Sequence, residues 1–256
     1  MKTINELIHL LENGAITRRD FIARVSAMGI AAAVSPALMA SKVKAATPKQ
    51  GGRFRMGMTG GSVSDNLDPA LVDDQMDTHV HYAIRNNLVE LDYENKAIPE
   101  LAESWEADEG AARWVFKLRK GVESHNGKTM TAEDVIDSIN HHRSKDSKSG
   151  AKGLVAQIKE IKADGKYTVE FHLDGGNADF PYILNDYHLT IAPAGTTGAQ
   201  WDEGIGTGGY IIKDWEPGVR AFFTRNPNYC KEGRAHFDEL EIIGIEDDTA
   251  RTNALQ

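Results

Sequence analysis

Beyond residue 50 the chain breaks into short runs whose apolar period identifies each element. Trp114, Phe116 and Leu118 alternate with Val115, Lys117 and Arg119, which predicts a half-buried strand over Trp114–Arg119. Arg53–Met58 reads as a first strand, entered from the linker Thr47–Gly52. A helix is expected from about Asp77 to Leu88, ending near Asn86-Asn87, with an extended segment Leu88–Asp92 after it. Thr131-Ala132-Glu133-Asp134 has the form of a capping box, because the Asp134 carboxylate can reach back to the amide of Thr131. Val135, Ile136 and Ile139 then follow at helical spacing.

Ile158–Ala163 and Lys166–Leu173 flank Asp164-Gly165, a hairpin signal, and a short helix is expected over Asp179–Asn185. Further strands are predicted around Tyr210–Lys213, Val219–Arg225 and Leu240–Ile245. The last ten residues, Asp247–Gln256, read as a helix that Asp248 or Thr249 can cap, with no stop signal, so the sequence is expected to be a fragment. Strands and helices together predict a mixed α/β (α+β) fold.

The first forty-five residues follow a different pattern. Thr17-Arg18-Arg19-Asp20-Phe21-Ile22 has paired arginines followed by an aromatic and an aliphatic residue, the form of a twin-arginine export signal. The stretch Val25–Ala40 is Ala-rich, interrupted by Gly29 and Pro36, and too short and weakly apolar to span a bilayer. Val43-Lys44-Ala45 fits a small-residue cleavage site. Residues 1–45 are thus expected to be a cleaved signal peptide, leaving a periplasmic chain that starts near Ala46 and contacts the twin-arginine translocase only during export. No cysteine lies near that site, so anchoring through a lipidated N-terminal Cys is not expected.

Charge narrows the partners. The chain has 29 basic and 38 acidic residues, and six and three of these lie in residues 1–45. Residues 46–256 therefore carry 23 and 35, a net charge of −12. Such a surface repels phosphate backbones, and nucleic acid is not an expected partner. With Cys230 as the only cysteine, no intrachain disulfide and no cysteine-based metal centre can form.

Several segments, in one order, resemble the family-5 solute-binding proteins, the peptide- and nickel-type receptors of ABC importers. They are Asn66-Leu67-Asp68-Pro69-Ala70, the long run from Asn87 to Asn140, Ile161–Phe171, Gly206-Thr207-Gly208-Gly209-Tyr210 and Arg225-Asn226-Pro227-Asn228-Tyr229. Gly209 departs from the pattern, since a proline is common at that point of the family's turn. The resemblance covers nearly all of residues 51–256. It implies a periplasmic binding protein-like lobe of the type II clamshell over residues 46–256, with an inserted subdomain at about 90–190 and the second lobe absent. It further implies a peptide-like small solute, an ABC importer permease as partner, a monomer, no cofactor and no enzymatic activity. Without a second lobe, weak or no solute binding is expected.

The same resemblance puts Asp68, Asp73 and Gln75 on a mouth-facing loop as ligand contacts, with Gly206, Gly208 and Tyr210 as further candidates. Glycines there would let a ligand or a hinge approach the backbone closely, although a tight lead-in to a strand is the plainer explanation. His79-x-His81 and His141-His142 invite a metal, but their side chains diverge and no third ligand supports them. Two rivals stay open: a twin-arginine-exported metal-binding enzyme, and a degenerate interaction module outside transport. No G-x-S-x-G, H-E-x-x-H or Walker A pattern supports the first.

Overall fold

A computed structural model describes residues 48–254 and, before them, Glu6, Leu7, His9, Leu10, Ile16, Asp20, Phe21 and Arg24. The paired arginines, the Ala-rich stretch and the cleavage site expected at Ala45 lie outside the described residues. The chain divides into two compact units, residues 1–48 and 49–256. In the first, Leu7 and Phe21 are buried. No helix among the described residues is long and apolar enough to cross a membrane.

The second unit contains two four-stranded sheets. The first has the order β1 (Arg53–Met58), β10 (Glu239–Gly244), β9 (Arg220–Arg225), β8 (Tyr210–Glu216). β1 runs parallel to β10, and the other neighbours are antiparallel. Register places Phe54 opposite Leu240 and Met56 opposite Ile242, while Leu240 faces Phe223 and Ile242 faces Ala221. One face is therefore apolar. Helix α1 (Gln75–Ile84) covers it with Met76, Val80, Ala83 and Ile84, positions that repeat at helical spacing. The opposite face alternates charge, with Arg53 on Glu239 at 2.6 Å, Arg55 on Glu241 at 2.7 Å and Arg220 on Glu241 at 3.3 Å.

The second sheet is fully antiparallel, in the order β4 (Ala102–Ala107), β5 (Arg113–Leu118), β7 (Thr168–Leu173), β6 (Ile158–Ala163). Trp114, Phe116 and Leu118 are buried on one face of β5, as alternation predicts. They meet Val169, Phe171 and Leu173 of β7 and, from the capping-box helix α2 (Ala132–Arg143), Val135 and Ile139. Asp134 accepts the Thr131 amide at 2.6 Å, which starts that helix. Phe171 packs edge-on to Phe116 at 5.4 Å and to Phe180 at 5.2 Å, the latter in the short helix α4 (Phe180–Ile183). One continuous core from Leu88 to Ile191 results. The small helix α3 (Lys152–Val155) borders it.

Two expectations shift. Helix α1 lies earlier than the sequence pattern suggests because Asp74 caps it, accepting the Asp77 amide at 2.8 Å. It ends at Ile84, whose carbonyl accepts the Gly208 amide at 2.9 Å, and Arg85 is extended. The next side chains serve tertiary contacts instead, with Asn86 donating to Glu100 at 2.8 Å and Asn87 to the Asp186 carbonyl at 2.8 Å. The short pair β2 (Val89–Leu91) and β3 (Ala97–Pro99) and the edge strand β4 complete the set. β4 gave no strand signal since Glu103 and Glu106 stand in solvent at a sheet edge. The final helix, α5 (Asp248–Asn253), is capped by Asp247, one residue before the expected caps.

Candidate functional site

β1 and β10 are the parallel pair among the described strands, and in open sheets ligands settle beyond the carboxyl ends of parallel strands. Those ends are Met58 and Gly244. Three pieces of backbone meet there at distances that exclude a side chain. A Cβ on Gly61 would stand 2.8 Å from the Gly218 carbonyl oxygen, one on Gly218 2.7 Å from the Ser62 carbonyl carbon, and one on Gly244 2.5 Å from the Gly218 oxygen. Gly60, Gly61 and Gly218 also have φ of +83, +110 and +72, the left-handed region that side chains resist.

This junction presents both apolar and acidic groups. Val63 at its tip is 91% exposed, and Val219 across from it is exposed as well. The Gly61 amide donates to Asp74 at 2.8 Å, and the Ser62 amide donates to Asp65 at 2.8 Å. Carboxylate oxygens of Asp65, Asp73 and Asp74 all lie within 4.8 Å of one another. Burial raises the Asp65 carboxyl above its ordinary value, and Asp74 and Asp73 add to that against the amides of Ser62 and Gly218. A mouth of this kind attracts a positive group and offers a small apolar contact beside it.

Beneath the mouth lies a buried column of ionisable side chains, two from α1 at i and i+4 and the third from the extended residue that follows it. Asp77, His81 and Arg85 are all within the protein. The His81 Nε2 lies 3.5 Å from Asp77 Oδ1 and 3.4 Å from the Asn66 carbonyl, and its Nδ1 lies 3.1 Å from Arg85 Nη1. Arg85 donates from Nη1 to the Leu67 carbonyl at 2.8 Å and from Nε to the Ile205 carbonyl at 3.3 Å, with its guanidinium 5.4 Å from the ring of Trp201. Burial and the carboxylates of Asp65, Asp74 and Asp73 push Asp77 up to about 8, while Arg85 pulls the other way. Burial and the Arg85 charge push His81 down to about 3. Burial lowers Arg85 to about 10 against the raising effect of Asp68 and Asp77, and it stays cationic at neutral pH.

The six residues expected from sequence do not converge. Asp73 is at the acidic mouth, and Gln75 is the first residue of α1 beside it. Asp68 lies elsewhere: it caps a 3₁₀ turn over Pro69–Leu71 and accepts from His141 Nε2 at 2.6 Å. Burial alone would raise its carboxyl, but His141 and the Ala70 amide outweigh that and hold it low. Asp68, His141 and Trp201 border a cavity of about 510 Å³. Gly206 and Gly208 pack under the end of α1, where a Cβ would come within 2.2 Å of the Ile84 oxygen and 2.4 Å of the Ala83 oxygen. Tyr210 lines a separate cavity of about 420 Å³ with Tyr82, Tyr229 and Phe237.

The histidine pairs diverge. His79 is turned to Gln75 and His81 is in the column, while His141 meets Asp68 and His142 meets Ser149 at 2.7 Å. Sequence reading passed over Asp65, Asp77 and Arg85. The Asp77-x₃-His81 spacing on one helix face was a usable signal for Asp77, whereas Arg85 follows the helix in extended backbone.

Comparison with known proteins agrees with this architecture. Residues 96–256 match the bacterial extracellular solute-binding proteins, family 5 Middle. The oligopeptide-binding protein AppA of Bacillus subtilis is 29% identical over 231 residues, 84% of this chain and 41% of its own. The periplasmic oligopeptide-binding protein OppA of Escherichia coli is 25% identical over 260 residues, 88% of this chain and 46% of its own. The solved structure of the same Bacillus subtilis AppA, in complex with a nonapeptide, superimposes with a TM-score of 0.73 at 26% identity, covering 81% of this chain and 43% of that one. The periplasmic binding protein DppA of Helicobacter pylori, in complex with a peptide, gives 0.70 at 26% identity over 81% and 45%. The chain thus spans less than half the length of these relatives, which are binding proteins and not enzymes.

Proposed function

The chain belongs to the bacterial extracellular solute-binding proteins of family 5, and from that premise we propose that it supplies one solute-facing lobe of a receptor for an ABC importer. The solute is a peptide-like molecule with a free amine. The observation that carries the reading is the mouth itself. Three carboxylates and an exposed Val63 stand at the carboxyl ends of the parallel strands, on backbone too closely packed to shift. A cationic amine beside a small apolar group complements it. The solute then lies against a facing lobe, whose closure expels water and presents the receptor to the permease.

Of the residues singled out from sequence, Asp73 and Gln75 contact the solute in this reading. Asp68, Gly206 and Gly208 act at one remove by seating the loops. Tyr210 contributes through the neighbouring cavity. Export through Arg18-Arg19 precedes these roles, with cleavage near Ala45. Replacing both arginines by lysine should then leave the protein out of the periplasmic fraction.

Trialanine and its N-acetylated form test the solute reading on isotopically labelled protein. Amide shifts at Gly60–Asp65, Asp73–Gln75 and Gly218–Val219 are expected at millimolar trialanine, with the acetylated form silent. Shifts confined to other surfaces, or equal responses to both peptides, would overturn it. Micromolar affinity of this chain by calorimetry would refute the requirement for a facing lobe.

A further inference from the structure

The buried column under the mouth contains one proton with two acceptors. Arginine only donates, so the 3.1 Å contact from Arg85 Nη1 makes His81 Nδ1 the acceptor. The neutral His81 ring therefore carries its hydrogen on Nε2. That nitrogen has the Asn66 carbonyl at 3.4 Å and Asp77 Oδ1 at 3.5 Å, and both distances are long for a settled hydrogen bond. Among the described residues, Asp77 Oδ1 is buried without another partner.

We propose that the His81 Nε2–H is shared between the Asn66 carbonyl and the Asp77 carboxylate, and that the charge standing at the mouth decides which of them holds it. A neutral Asp77 leaves the hydrogen to Asn66. An ionised Asp77 draws it away. Asn66 opens the segment whose next carbonyl, on Leu67, is held by Arg85 and whose Asp68 is held by His141. A cation at the mouth would thereby reach the seating of Asn66–Leu71 without touching it. Proton balance is simple: Asp77 releases its proton to solvent as the cation arrives, and His81 stays neutral throughout.

The charged groups around the pair are few. Asp77 faces Asp73 and Asp74 from the start of its own helix, Asp65 from the loop after β1, and Arg85 from below. His81 faces Arg85, Asp68 from the segment it holds, and His188 from the insert. The three mouth carboxylates disfavour ionisation of Asp77, so a neutralising cation there favours it, and solute binding should strengthen as pH rises toward 8.

The test needs no solute. Ring-nitrogen chemical shifts of His81, followed by NMR from about pH 5 to about pH 9.5, report where the Nε2 hydrogen resides. The expected result is one transition well above the ordinary carboxylate range. It should vanish in Asp77→Asn and move down by about half a pH unit in Asp73→Asn. A flat wild-type signal, or a midpoint indifferent to Asp73→Asn, would overturn the proposal, because a merely structural column does not sense a surface charge. The inference rests on the mouth reading only for what supplies the cation. This titration and the trialanine shifts therefore fail independently.

Discussion

Among the described residues, twenty-two buried apolar side chains between Leu88 and Ile191 form one core, whereas nine do so beneath the sheet that carries the mouth. The larger core is closed by aromatic contacts, with Asp134 and His142 buried on the helix that covers it. The smaller is supplemented by Asp77 and His81, buried beside it on the helix that also supplies Met76, Val80 and Ile84, and by Arg85 just after that helix. The difference teaches where each region gets its definition. The larger core is held mainly by non-directional burial, which tolerates change of shape poorly and, apart from His142, is little affected by pH. The mouth region is held by backbone approach and buried polar pairs, which fix geometry and respond to charge.

The largest effect should come from breaking the larger core. Phe171→Ala removes a ring packed on Phe116 and Phe180 and should cost about 4 kcal/mol in denaturant unfolding. Next is Gly208→Ala on the mouth side. Its methyl would sit 2.4 Å from backbone atoms of Ala83 and Ile84, so a loss of about 2–3 kcal/mol is expected by the same measurement.

Charge sharpens the contrast further. Folded Asp77 keeps its proton up to about 8, whereas the unfolded chain loses it near the ordinary carboxylate value. Stability should therefore fall as pH rises through that window, by at most about 1.4 kcal/mol per unit. His81 and His142 are held neutral down to about 3 and about 4, so below their ordinary value of 6.5 the unfolded state gains protons and stability falls there as well. An optimum near neutrality follows. Asp77→Asn should flatten its upper limb and steepen the lower one, because Asp77 no longer offsets the two histidines there, as thermal melts across pH would reveal.

The smallest effect belongs to the cap of α2. Asp134→Ala removes the acceptor of the Thr131 amide and should cost about 1 kcal/mol in denaturant unfolding.

How much of this was legible before folding depended on the range of the signal. Trp114, Phe116 and Leu118 announced β5, and Thr131 with Asp134 announced the start of α2, because both patterns are local and survive any tertiary context. Helix α1 slipped by several residues because Asp74 caps it early and Gly208 takes the Ile84 carbonyl, the second partner lying more than a hundred residues away. The candidate residues scattered for a related reason. Gly206 and Gly208 looked like ligand-facing glycines, yet their missing side chains make room for the end of α1.

Sequence alone thus determined the family, the mixed α/β class, the strongly periodic elements and the acidic charge, all of which are properties of residue order and composition. Tertiary structure alone decided that Asp65, Asp73 and Asp74 share one mouth with Gly61 and Gly218, and that Asp77, His81 and Arg85 are buried beneath it. No pattern along the chain encodes that convergence. It arises when β10 pairs beside β1, bringing loops some 150 residues apart within hydrogen-bonding distance and removing water from the charges between them.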